Sequence, residues 1–160
     1  MATAETIEVY DPACVDSSCP AAVVAALQAR PGDVGVQERS CGALAGIVQG
    51  GAACAQAVAD AGGAALVVAA LQVHPGEVGV QQEGCAALFG IARGGAACAQ
   101  AVADAGGGVE AVAAMRRYPS EEVVQVNGCG ALFEMVECGS ACAQAVADAG
   151  GAAAVVAALQ

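Results

Sequence analysis

The sequence predicts an all-α fold, a solenoid of three-helix repeats with a period of 44 residues. Three observations carry this expectation. Gly50 to Gly63 reads GGAACAQAVADAGG, Gly94 to Gly107 repeats it letter for letter, and Cys138 to Gly151 keeps 12 of the 14 residues as CGSACAQAVADAGG. A fixed period of this size marks units that cannot bury their own apolar faces and must stack on their neighbours. Glycine pairs and Pro turns then divide each period into three apolar blocks of helix length. Finally, no alternating apolar and polar segment is long enough for a strand.

The elements follow in order. Residues 1–19 read as a degenerate N-terminal helix or cap, partly disordered at the start, because a shift of one period keeps only Asp16 against Asp60 and places Pro12 at Gln56. Residues 20–50 are a first repeat holding a second and a third helix, with a turn at Arg30-Pro31-Gly32-Asp33. Residues 51–94 form the second repeat. In it, Ala52 to Ala61 is strongly helix-forming and closed by Gly62, whose freedom at positive φ suits a helix end. Ala64 to Val73 is almost wholly apolar, as expected of a helix packed between neighbours. His74-Pro75-Gly76 breaks the chain, and Glu77 to Arg93 forms the third helix, with Val80, Leu88 and Ile91 on one side and Gln81, Gln82 and Glu83 exposed. Residues 95–138 repeat the pattern around Tyr118-Pro119-Ser120-Glu121. After all three Pro turns an acidic residue stands in the first turn of the third helix, favouring the positive end of its dipole. Residues 139–160 are an incomplete fourth repeat with a first and a second helix, which leaves Val155, Val156 and Leu159 with nothing after them to pack against. Asp60, Asp104 and Asp148, each before a glycine pair, are expected to cap the helix that follows.

Composition narrows the function. The chain is 58% apolar, but Ala is the largest part of this, aromatics are 2%, and the core must be built from small aliphatic residues. Ser40 to Ala59 runs 20 residues without a charge, yet it holds Gln49, a glycine pair and Gln56 and crosses a repeat boundary, so no membrane segment is expected. The acidic start is not that of a signal peptide, and the expected compartment is cytoplasmic, with the nucleus as a second location. Net charge is −11 and the chain has no Lys, which disfavours nucleic acid and favours a basic protein partner. Cys41, Cys85 and Cys129 share one repeat phase, Cys54, Cys98 and Cys142 another, and Cys14, Cys19 and Cys138 lie outside both. Cysteines in one phase would stand about 8–10 Å apart, beyond disulfide reach, so reduced thiols acting as apolar fillers are expected. No metal or cofactor is expected either. The one histidine, His74, is placed in solvent in a turn, far from serving as a catalytic base, and no enzymatic activity is expected. Gly106-Gly107-Gly108 opens a helix but lacks the GxxxxGK[ST] of a phosphate loop.

Gln56 to Gly63 (QAVADAGG), then an apolar helix, a Pro turn and Val80 to Leu88 (VQQEGCAAL), resemble the armadillo repeat, and the likeness recurs one period away from about residue 20 to residue 160. The HEAT repeat is the alternative; the Gly-Gly break between first and second helices is typical of armadillo units. The resemblance implies a right-handed α-solenoid whose third helices line a concave groove. It places the family's peptide-holding Trp at Gly42, Ala86 and Gly130 and the Asn at Gly46, Gly90 and Glu134. Neither signature is present, so binding of nuclear import signals is not carried over. The groove instead reads as small residues edged by Arg39, Glu83, Arg93, Asn127, Glu134 and Glu137. It would be about 30–35 Å long, room for an extended peptide of about ten residues. The expected function is that of a non-enzymatic scaffold that binds a protein or peptide segment there, with a preference for basic ones. The alternative is a structural fragment that self-associates as a homo-oligomer through Val155, Val156 and Leu159 at its uncapped end.

Overall fold

Residues 18–159 are described by a computed structural model, in which they form ten α-helices and no strand. The expectation for residues 1–17 lies outside the described residues. In chain order the helices are α1 (Ser18–Ala29), α2 (Val34–Val48), α3 (Ala52–Asp60), α4 (Gly63–Val73), α5 (Val78–Ala92), α6 (Ala96–Asp104), α7 (Gly107–Arg117), α8 (Glu122–Glu137), α9 (Ser140–Asp148) and α10 (Gly151–Ala158). Helices of like position lie side by side: α2 on α5 on α8, α1 on α4 on α7 on α10, and α3 on α6 on α9. The core runs between these rows as one cluster of aliphatic residues, with Leu44, Leu71, Leu88, Ile91 and Met135 as its largest apolar members. Among the described residues no single helix is long and apolar enough to cross a membrane.

Both glycines of each pair are required, for different reasons. Gly62 has φ +81°, a left-handed conformation that lets α3 end and α4 turn away at 71°. Gly63 is ordinary in φ but sits against α3, where a Cβ would lie 2.6 Å from Val58 Cγ1 and 2.9 Å from the Val58 carbonyl oxygen. The same division of labour recurs at Gly106-Gly107 and Gly150-Gly151.

Three expectations about single polar side chains are corrected here. Gln81 is buried, not exposed: its Nε2 donates to the carbonyls of Leu71 at 3.0 Å and His74 at 3.1 Å. Gln37 does the same to Leu27 and Arg30, and Gln125 to Met115 and Tyr118. The last carbonyls of a helix have no partner within it, so α2, α5 and α8 each supply one glutamine to satisfy the ends of α1, α4 and α7. His74 is buried at 8% exposure, and its Nε2 donates to the Pro31 carbonyl of the previous Pro turn at 2.7 Å. One repeat later the Tyr118 hydroxyl donates to the Pro75 carbonyl at 3.0 Å, so successive turns are tied together. Asp60, Asp104 and Asp148 do not cap the next helix, whose N-caps are glycines without a side-chain bond. Each carboxylate instead accepts from the glutamine four residues earlier on its own helix, at 2.7–2.8 Å.

The expectation of reduced thiols throughout also fails at one place. Cys138 and Cys142 are joined as a disulfide, with Cα atoms 6.4 Å apart across the α8–α9 joint. The spacing argument compared cysteines of one phase and so did not bear on Cys138 and Cys142, four residues apart at a turn. In the two preceding repeats Cys138 is replaced by Gly50 and Gly94, where a Cβ would meet the sulfur of Cys54 at 2.8 Å and of Cys98 at 2.9 Å. Both sulfurs of the disulfide approach Gln100 Oε1, but having no thiol proton they donate no hydrogen bond. Cys98, a free thiol, donates to Gln56 Oε1 at 3.4 Å.

Candidate functional site

The three third helices α2, α5 and α8 begin alike, at Asp33, Glu77 and Glu121, each an extended N-cap residue after a Pro turn. Only Asp33 closes a side-chain cap, accepting from the Val36 amide at 3.0 Å. The helices approach closely because glycines of one receive side chains of another. Val48 of α2 lies on Gly90 of α5, the Glu38 carboxylate lies on Gly79, and the Phe89 ring lies on Gly130 of α8, 2.8 Å from where a Cβ would stand. Glu83 of α5 leans the other way, over Gly42 of α2. Gly42, Gly90 and Gly130 are therefore seats for neighbouring side chains.

A groove of about 500 Å³ opens between the ends of α2 and α5 and the start of α3. Its lining includes Val48, Gln49, Ala52, Phe89, Arg93 and Asn127. Of the residues predicted for the binding face, Ala86, Gly90, Arg93 and Asn127 belong to it, whereas Arg39, Gly42, Gly46, Glu83, Gly130, Glu134 and Glu137 do not line it. Arg39, Gly46 and Glu137 are exposed on the same helices, and Glu134 is half-buried. The Arg93 guanidinium stands 5.4 Å from the Phe89 ring centroid, a cation–π distance that holds the positive charge at the rim. Asn127 Nδ2 donates to the Val123 carbonyl of its own helix at 2.9 Å, leaving its amide oxygen for a ligand.

Electrostatics distinguish a second patch. Glu83 is half-buried, and burial, then the nearby Glu38 carboxylate, pushes its carboxyl above the ordinary 4.5. Beneath it Cys41 is pushed up to about 12 by burial, then by Glu83 and Cys85, and Cys85 to about 12 by burial. These are inert thiols and packing groups. Among the described residues no group of three or more His, Cys, Asp or Glu side chains could hold a metal ion.

The predicted C-terminal end divides. Val155 is half-buried against the core, while Val156 and Leu159 are exposed, Leu159 at 82%. Sequence reasoning missed a stripe beside them: Val126, Phe133 and Val136 of α8 are exposed, Phe133 at 61%. The signal was present, since Phe133 is Phe89 carried on by one period. Phe89 and Val48 were missed in the groove for the same reason, an eye on the glycines and not on what fills them. No family model matches the chain, and no curated protein is significantly similar to it.

Proposed function

We infer that this chain is a non-enzymatic protein-binding module, a right-handed solenoid of armadillo-like units that holds a partner segment on the face of α2, α5 and α8. One observation carries the reading: a groove of about 500 Å³, lined by Val48, Ala52 and Phe89 together with Gln49, Arg93 and Asn127, between the two helices that carry the neighbouring carboxylates of Glu38 and Glu83. Glu38 and Val48 are ten residues apart on α2, hence about 15 Å. An extended segment covers that distance in about five residues at about 3.3 Å each. The ligand is thus a peptide with an aliphatic side chain for the groove and an Arg or Lys about five residues away for the carboxylates. A cation there removes the repulsion between the two acids, and the net charge of −11 assists its approach.

The test is fluorescence anisotropy with a labelled peptide carrying Leu and Arg at that spacing. Binding is expected to weaken about tenfold in the Glu38→Gln/Glu83→Gln protein, as a charge-assisted contact implies. Equal affinity of both proteins at low salt would remove the acidic patch from the reading, and no binding to either would remove the groove. The exposed apolar residues of α8 and α10 favour a second reading, self-association.

A further inference from the structure

We propose that the outer face of α8 docks α2 of a second copy of this chain, so that copies join head to tail. This rests on the stacking of units proposed above and not on the peptide groove. The interior contacts set the geometry. Glu38 lies on Gly79, Val48 on Gly90 and Phe89 on Gly130. Two periods of 44 carry Glu38 to Val126 and Val48 to Val136, and one period carries Phe89 to Phe133. These are three of the four large apolar residues exposed on α8, the other being Val123, and they lie at spacings of seven and three residues. Their glycine partners are found by the same shifts, to which whole periods are added or subtracted. Moved back by three periods, they return to α2 at Gly35, Gly46 and Gly42. Val126, Phe133 and Val136 therefore each have a glycine seat on α2 of the same sequence, in the register the chain already uses internally.

The surfaces suit each other further. Gly46 and Arg39 of α2 are exposed; Gly42 is covered by the end of the Glu83 side chain and Gly35 by the Arg39 guanidinium, and both flexible side chains can swing aside. Arg39 brings a positive charge towards a helix that carries Glu122, Glu134 and Glu137. A symmetric tail-to-tail pair would instead oppose two such acidic sets. In the head-to-tail register the incoming α1 falls on α10. Residues 21–28 and 153–160 are the same octapeptide, AAVVAALQ, so one helix of that sequence fills the place and the other is released. The contact joins two different surfaces and does not close on itself, so it extends to chains.

The experiment is light scattering on the full chain over about a hundredfold range of concentration. The wild type is expected to rise to at least about twice the monomer mass at the top of the range. Phe133→Asp blocks the tail and Gly46→Glu blocks the head, so each alone stays monomeric, and their equimolar mixture forms dimers that grow no further. A monomeric wild type overturns the proposal, as does a mixture that stays monomeric. Self-pairing of Gly46→Glu with no pairing of Phe133→Asp overturns it in favour of tail-to-tail contact. Phe89→Asp separates this from the stacking itself. A melting temperature unchanged by Phe89→Asp would sink the stacked-unit reading, whereas a lowered one beside a monomeric wild type sinks only the proposal made here.

Discussion

Glu83 sits half-buried over Gly42, and its carboxyl, raised by burial and then by the Glu38 carboxylate, gives a pH dependence of known sign. A carboxyl whose folded value exceeds the unfolded one binds its proton more tightly in the folded chain. Its contribution to stability is full below the ordinary 4.5 and is lost as pH rises through the folded value. Glu83→Gln should therefore melt at a higher temperature than the wild type at neutral pH, and the two should converge on acidification below that window. A difference that grows in acid would contradict the assignment. The thiols beneath behave in the same direction at the other end of the scale. Cys41 and Cys85, held near 12, react with iodoacetamide only as thiolates, and at pH 8 the thiolate fraction is about one in ten thousand. Mass spectrometry of the native chain should find the partly exposed Cys54 modified first and Cys41 and Cys85 last, with Cys138 and Cys142 protected until reduction.

At the scale of the element, a single amide on α5 closes the end of α4, beside the packing of Leu71 on Gly84. Gln81→Met keeps the length of the side chain and removes both donated bonds, leaving the ends of Leu71 and His74 without partners in a buried place. Urea unfolding should show a loss of about 1–3 kcal/mol. Gln82→Met, which loses only a half-exposed bond to Glu121, should stay within about 0.5 kcal/mol. The helices themselves were readable from the sequence to within a residue or two. Ala52 to Ala61, Ala64 to Val73 and Glu77 to Arg93 became Ala52–Asp60, Gly63–Val73 and Val78–Ala92, because propensity, glycine and proline all act locally. The buried Gln81 and His74 were not readable, because their partners lie 7 to 43 residues away. Periodicity shows only that a position recurs. A glutamine that recurs in three third helices looks the same whether it faces water or a neighbouring helix end. Most of the groove lining was lost for a related reason, since a glycine signals close approach without naming the side chain that approaches.

The whole molecule has no contact that spans it: among the described residues α1 touches only α2, α3 and α4, and α10 only α7, α8 and α9. Stability must then be graded along the chain, highest where a helix has neighbours on both sides and lowest at the ends. Leu88 of α5 is fully buried, and α5 lies between α2 and α8, so Leu88→Ala should cost about 2–5 kcal/mol. The chain as a domain has only about 5–15 kcal/mol to lose. Native-state hydrogen exchange separates the two regimes. Amides of α5 open only with the bulk of the structure, and their protection should fall by the full cost of the substitution. Amides of α10 open by local fraying, independently of α5, and their exchange should be unchanged in Leu88→Ala. If α10 lost protection in step with α5, the chain would be a single all-or-none unit. The end helix could then not be released to admit α1 of another copy without unfolding the rest.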